Sequence, residues 1–168
     1  MLAALLRVPN FEIYDVSSLK LLGYGAAPLP PATIREALQK LPCPFLQMYG
    51  TTELLGMTNM LYPSDHELGL STRPELLSSV GRPLSWVDVR IVDEENIDLP
   101  DGEIGEVVVR SDLVFSGYWR ALEKSQEMFF GDWFRTGDLG RRDQDGYFYI
   151  ADRVKFRIKT GGYNVFPT

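Results

Sequence analysis

Four short stretches hold residue types whose spacing could do chemistry. In QMYGTTELLG, residues 47–56, Gly50 permits an unusual backbone angle after Tyr49, and Thr51, Thr52 and Glu53 follow at once. Such a turn can aim backbone N–H groups and two hydroxyls at an anion. Glu53 would repel that anion unless a cation lay between them, so the arrangement asks for a metal-bound phosphate. The same residues also make an ordinary helix start, with Thr51 or Thr52 as cap and Glu53 in the first turn. In FRTGDLG, Asp138 stands at a glycine turn between Gly137 and Leu139. It could accept two hydrogen bonds from a vicinal diol, as carboxylates bind ribose, or bond its own backbone as turn aspartates do. In IADRVKFRIKTGG, Arg153, Lys155, Arg157 and Lys159 precede Gly161-Gly162; alone this run reads as a solvated basic face. GYGAAP, residues 23–28, has small residues that would let a flat ring approach the backbone, without the G-x-G-x-x-G dinucleotide pattern.

Other reactive residue types offer less. The single histidine, His66, lies in the polar stretch PSDHELG and reads as a surface residue, with no serine or metal-ligand partner nearby in sequence. The single cysteine, Cys43, sits among apolar residues in LPCPFLQ and reads as a small buried hydrophobe in a reducing, cytoplasmic setting. A net charge of −6 argues against a nucleic-acid partner. The start MLAALLRVPN has too short an apolar run for a signal peptide or a membrane span. It reads as the end of an amphipathic helix that begins abruptly, and so hints at a truncated chain.

The elements that must position these residues fall into three regions. In residues 1–78, LKLLGY reads as a buried strand, Pro30-Pro31 opens a helix with Ile34, Ala37, Leu38 and Leu41 at helical spacing, and PFLQMYG reads as a second strand. Residues 63–78 are loop-like, with one weak helical tendency. In residues 79–151, WVDVRIVD, IGEVVVR and GYFYIAD alternate apolar and polar residues around Asp-Gly turns, with ALEKSQEMFF as a short helix between them. Residues 152–168 form a basic stretch that ends in mid-pattern. The fold class expected is α/β: the end of an α/β layered subdomain, then a small β-barrel-like subdomain, then the start of a truncated C-terminal domain.

The order GYGAAPLP, YGTTE, SVGRP, DGEIGEVVVR, GYW, FRTGDLG, DGYFYIADRVKFRIKTGGYNVFP resembles the adenylate-forming enzymes, over nearly the whole chain from about Val16 to Thr168. That superfamily includes acyl-CoA synthetases, aryl-CoA ligases, luciferases and peptide-synthetase adenylation domains. The resemblance implies attack of a carboxylate on the α-phosphate of ATP, giving an acyl-adenylate, and then transfer of the acyl group to a thiol, usually that of CoA. It implies that Gly25, Ala26, Ala27 and Pro28 line an adenine slot with Tyr49 stacked on the base. Gly50 and Thr51 would belong to the phosphate turn, Thr52 would bond the α-phosphate, and Glu53 would hold Mg²⁺. Asp138 would take both ribose hydroxyls and Arg153 would add a ribose or phosphate contact. Lys155 falls at a hinge position. Lys159 and Gly161-Gly162 match a loop that faces the site when the thiol enters.

The pattern departs from the family in three respects. The Ser/Thr/Gly-rich phosphate loop and the far C-terminal lysine are absent, and Ala26 stands where glycine is frequent. The expectation is therefore a fragment of an acyl- or aryl-CoA ligase, inactive by itself, whose partners are ATP, CoA and a small-molecule carboxylic acid. Leu54, Leu55, Gly56 and Met57 would suit a fatty or aromatic acid, unless they are simply core. Self-association through exposed apolar surface is also expected. The alternatives are a peptide-synthetase adenylation domain and a non-catalytic nucleotide-binding remnant.

Overall fold

The computed structural model describes residues 1–27, 29–156, 158–160 and 163–165. After helix α1 (Leu2–Leu5) and a 3₁₀ turn at Phe11–Ile13, strand β1 (Leu22–Gly25) leads through helix α2 (Pro31–Lys40) to strand β2 (Phe45–Tyr49). β1 and β2 are parallel, Leu22 opposite Phe45 and Gly25 opposite Met48, and α2 is the crossover such a pair requires. Pro31 occupies the first turn of α2, where its missing N–H costs nothing, and Ile34 and Ala37 face inward. Around them lies a core of Leu6, Ala37, Leu41, Cys43 and Phe45, so Cys43 is buried, as its apolar neighbours predict.

Strands β3 (Asn59–Leu61) and β4 (Arg82–Pro83) complete a four-stranded sheet in the order β1-β2-β3-β4. Between them, helix α3 (Pro63–Ser71) and a 3₁₀ turn at Pro74–Ser78 replace the loop expected over residues 63–78. Sequence periodicity misses α3 because the helix has no apolar stripe. Its start is set instead by Pro63 and by Asp65, whose Oδ2 accepts the Tyr62 N–H at 2.8 Å. His66 is thereby carried inside rather than onto the surface, with 1% of it exposed.

The second sheet is antiparallel and curls into a half-barrel, with β5 (Asp88–Val92), β6 (Gly105–Arg110), β8 (Trp133–Arg142) and β7 (Phe129–Phe130) in that order and β9 (Phe148–Arg153) on β8. Helix α4 (Leu122–Glu127) precedes β7, so Phe129 and Phe130 leave the expected helix and pair with β8. The main core, containing Leu54, Leu84, Val89, Ile91, Val107, Val109, Phe134 and Phe148, belongs chiefly to the second sheet, with Leu54, Leu84 and the partly buried Met60 joining it from the first unit. The sheets are stitched where Val80 N–H donates to Phe148 O at 2.8 Å and Phe148 N–H donates to Gly81 O at 2.9 Å. Beyond a 3₁₀ turn at Val154–Phe156, strands β10 (Ile158–Thr160) and β11 (Tyr163–Val165) form a small hairpin of their own.

Candidate functional site

Asp138 is not in a turn. It lies inside β8, and a local irregularity aims it. Glu106 pairs with Leu139 while Val108 pairs with Arg135, so β8 carries two more residues than β6 across this stretch. The excess lifts Thr136–Asp138 off the ladder with β6, as β-bulges do beside binding sites. Gly137 absorbs the bend at φ +71°. Thr136, a residue the sequence pattern did not flag, pins the bulge: its Oγ1 donates to Val107 O at 2.7 Å and accepts from the Asp138 N–H at 3.1 Å.

The side chain so presented is buried and accepts two side-chain hydrogen bonds. The Tyr49 hydroxyl donates to Asp138 Oδ2 at 2.6 Å, and Arg153 Nη1 donates to Oδ1 at 2.5 Å. Arg153 reaches it because the two residues are cross-strand partners on β8 and β9. Burial, together with the neighbouring carboxylate charge, holds the Tyr49 phenol well above its ordinary pKa, and the bond to Asp138 raises that of the Arg153 guanidinium further. An ionised aspartate keeps lone pairs free beyond these two bonds and can accept further donors such as a vicinal diol.

These residues open onto a cavity of about 690 Å³, within the range that small-molecule sites occupy. Ala26, Ala27, Tyr49, Gly50, Thr51, Asp138 and Arg153 all line it. Gln47, Ser79 and Asp152, none of which the sequence singled out, line it too. Three buried oxygens in this wall, Gln47 Oε1, Thr51 Oγ1 and Asp152 Oδ2, lack a hydrogen-bond partner, although Asp152 Oδ1 accepts from the Arg153 N–H at 2.6 Å. Unpaired buried acceptors and hydroxyls in a concave wall are groups that a polar ligand can satisfy.

Other sequence candidates lie apart from this wall. Gly25 is not among its lining residues, and a Cβ there would stand 2.2 Å from Met48 O. Its smallness therefore serves the β1–β2 pairing rather than a ligand. Gly50 does line the cavity, but its smallness also closes its own loop, since a Cβ would meet Gly56 O at 2.6 Å. Thr52 and Glu53 sit beyond Thr51 in the 3₁₀ turn Thr52–Leu54. Thr51 precedes the turn and makes no side-chain capping bond, while Glu53 stands in its first turn. Glu53 Oε1 accepts from the Tyr118 hydroxyl at 2.7 Å. Burial pushes the Glu53 carboxyl upward, but the Tyr118 bond and backbone hydrogen bonding outweigh it and hold the pKa below its ordinary value. Leu54 is core at 1% exposure, whereas Leu55 is 73% exposed. Pro28, Gly161, Gly162 and the Lys159 side chain lie outside the described residues.

His66 makes a pair that sequence reasoning missed. Tyr62 O can only accept, so the bond of 2.8 Å to it requires the proton on His66 Nδ1, and Nε2 then accepts from the Tyr24 hydroxyl at 2.9 Å. Tyr24 in turn lines the cavity. Among the described residues, no group of three His, Cys, Asp or Glu could hold a metal by itself, and no helix is long and apolar enough to cross a membrane. A lone carboxylate such as Glu53 suits Mg²⁺ that takes its remaining ligands from phosphate and water.

The geometry agrees with proteins of known activity. The chain is 39% identical to the medium/long-chain-fatty-acid–CoA ligase FadD8 of Mycobacterium tuberculosis, over 99% of this chain and 28% of that protein. It is 35% identical to the fatty acid–[acyl-carrier-protein] ligase ScoC of Streptomyces coeruleorubidus, over 99% of this chain and 31% of that one. Among solved structures, the amide bond synthetase McbA of Marinactinospora thermotolerans superposes with a TM-score of 0.88 at 40% identity, over 98% of this chain and 32% of McbA. The chain thus spans about a third of the length of such relatives or less. The AMP-binding enzyme family model matches residues 1–119, and with the fold and the cavity just described it follows that this chain belongs to the AMP-binding enzyme family.

Proposed function

We propose that the chain supplies the ribose and base side of the nucleotide site in an ATP-dependent ligase that activates a carboxylic acid as its acyl-adenylate and hands it to the thiol of CoA. The observation that carries this reading is the convergence of Asp138, Arg153 and Tyr49 on one cavity whose wall holds unpaired buried acceptors. In it, Asp138 takes the ribose diol and Arg153 orients its carboxylate. The Gln47 side-chain carbonyl accepts from an exocyclic amine of the base. Tyr49, tied to Asp138 through its hydroxyl, presents its ring to the base opposite Ala26 and Ala27. Thr51 and Thr52 offer hydroxyls toward the phosphates, and Glu53 stands where Mg²⁺ would neutralise phosphate charge. Holding acid and nucleotide in register is where such a site contributes most to rate.

Fatty or aromatic acids are the substrate class proposed, on the strength of FadD8, and cytoplasmic fatty acid metabolism is the setting proposed with them. In the same reading, residues 1–78, 79–151 and 152–168 belong to an α/β subdomain, a β-rich subdomain, and the hinge and start of a small C-terminal domain carrying Lys159. A second reading, transfer to an amine instead of a thiol, is favoured by the 40% identity to an amide bond synthetase. The test is calorimetric titration of a non-hydrolysable acyl-adenylate mimic into the chain and into Asp138→Ala. Loss of the charged acceptor is expected to weaken binding by about 1.5–3 kcal/mol, on the order of tenfold to a hundredfold. Equal binding by the two proteins rules out Asp138 as the ribose ligand.

A further inference from the structure

We infer that Tyr118 is a positioning residue that fixes the Glu53 carboxylate in the orientation needed to meet the metal ion of the nucleotide; this rests on the reading of Glu53 proposed above. One segment of the second sheet unit grips Glu53 at two points. The Phe115 N–H donates to the Glu53 carbonyl at 2.8 Å, and the Tyr118 hydroxyl donates to Glu53 Oε1 at 2.7 Å. With main chain and side chain both held, the direction of the second carboxylate oxygen is set before any ligand arrives.

Tyr118 is itself held from several sides. Its N–H donates to Ser125 Oγ at 2.8 Å, and that hydroxyl donates on to Ala121 O at 2.8 Å. The close approach needs glycine at 117, where φ is +138° and a Cβ would stand 3.0 Å from Ser125 Oγ. Phe115 packs edge-on against the Tyr118 ring at 4.9 Å, and the Lys124 ammonium lies over it at 4.5 Å. The chemistry of the partner matters as much as its rigidity. An arginine or lysine in its place would hold Glu53 equally well but would compete with an incoming cation for the negative charge. A neutral phenol donates one proton to one oxygen and leaves the carboxylate charge intact, and outer partners of this kind commonly govern metal affinity.

The experiment titrates α,β-methylene-ATP into the chain across a range of Mg²⁺ concentrations, with metal-free AMP in parallel, for the natural sequence, Tyr118→Phe, Glu53→Gln and the double variant. Tyr118→Phe keeps the ring and its packing. It is expected to raise the Mg²⁺ concentration for half-saturation by about tenfold, while AMP affinity stays within about twofold. Adding Tyr118→Phe to Glu53→Gln should change the Mg²⁺ requirement no further, because the hydroxyl acts only through Glu53. An unchanged Mg²⁺ requirement in Tyr118→Phe overturns the inference. So do additive effects in the double variant, or loss of AMP binding in step with the metal-dependent binding. An unchanged Mg²⁺ requirement in Glu53→Gln alone instead overturns the metal reading on which the inference rests, and that outcome is distinguishable because Tyr118 is intact there.

Discussion

Ala26 shows how a single residue can carry strain at the mouth of a site. It lines the cavity at φ +66°, a left-handed conformation that costs an L-residue about 1–2 kcal/mol, and its methyl is exposed rather than packed. Glycine relieves that cost but gives back about 0.4–1 kcal/mol through the freedom of the unfolded chain. Ala26→Gly is therefore expected to stabilise the chain by up to about 1.5 kcal/mol, read as a higher urea midpoint at unchanged slope. A lower midpoint would mean that the methyl makes packing contacts that outweigh the strain. At this scale residue type alone left alternatives open, whereas the family resemblance named Asp138, Arg153 and Tyr49 together, and the three do meet. The sequence was silent where a role depends on partners far along the chain. Thr136 matters only because the bulge brings Val107 O and the Asp138 N–H to its hydroxyl, and Tyr118 matters only because it reaches Glu53. No local spacing encodes either contact.

Helix α3 shows the same limit for an element. Strands with alternating apolar residues and a helix with an apolar stripe declare themselves, as β5, β6, β9 and α2 do. α3 has no such stripe, and what it buries is Gly69, against Leu77, and the histidine that polar neighbours had placed on the surface. Burial lowers the His66 pKa, partly opposed by its bond to Tyr62 O and by the charge of Asp65; the neutral ring is the form the fold accommodates. The sign follows from linkage. A base whose folded pKa lies below its unfolded value contributes stability fully present above the ordinary value of 6.5 and lost as pH falls through the folded value. Between about pH 8 and pH 5 the melting temperature should therefore fall more steeply for the natural chain than for His66→Gln. Parallel curves for the two proteins would show that His66 protonates as readily inside as out. Tyr24 belongs to the same unit, because its hydroxyl is the donor that the neutral ring accepts.

For the whole molecule, the question is what holds the α/β layer to the half-barrel so that Asp138 on β8 faces Tyr49 on β2. Two kinds of contact cross the seam. On the outside, Arg73 pairs with Asp145 at 2.8 Å and Asp143 at 3.4 Å, from the end of α3 to the β8–β9 turn. Inside, Tyr147, 1% exposed, donates its hydroxyl to Asp65 Oδ1 at 2.7 Å and accepts from Arg82 Nη2 at 2.7 Å, with the Arg82 guanidinium 4.2 Å over its ring. Counting bonds would favour Arg73, but solvent decides otherwise. Exposed pairs contribute about 0–1 kcal/mol, whereas removing a buried hydroxyl that serves two charged partners costs about 1–3 kcal/mol. Tyr147→Phe should therefore lower the melting temperature by several degrees, at about 2–4 °C per kcal/mol for a chain of this size, and more than Arg73→Ala does. Because the lost bonds span both layers, it should also weaken the acyl-adenylate mimic without touching the cavity wall. A larger loss in Arg73→Ala would place the clamp on the surface. A melting temperature unchanged in Tyr147→Phe would leave the apolar core around Leu54, Leu84 and Phe148 as what keeps the two halves of the site in register.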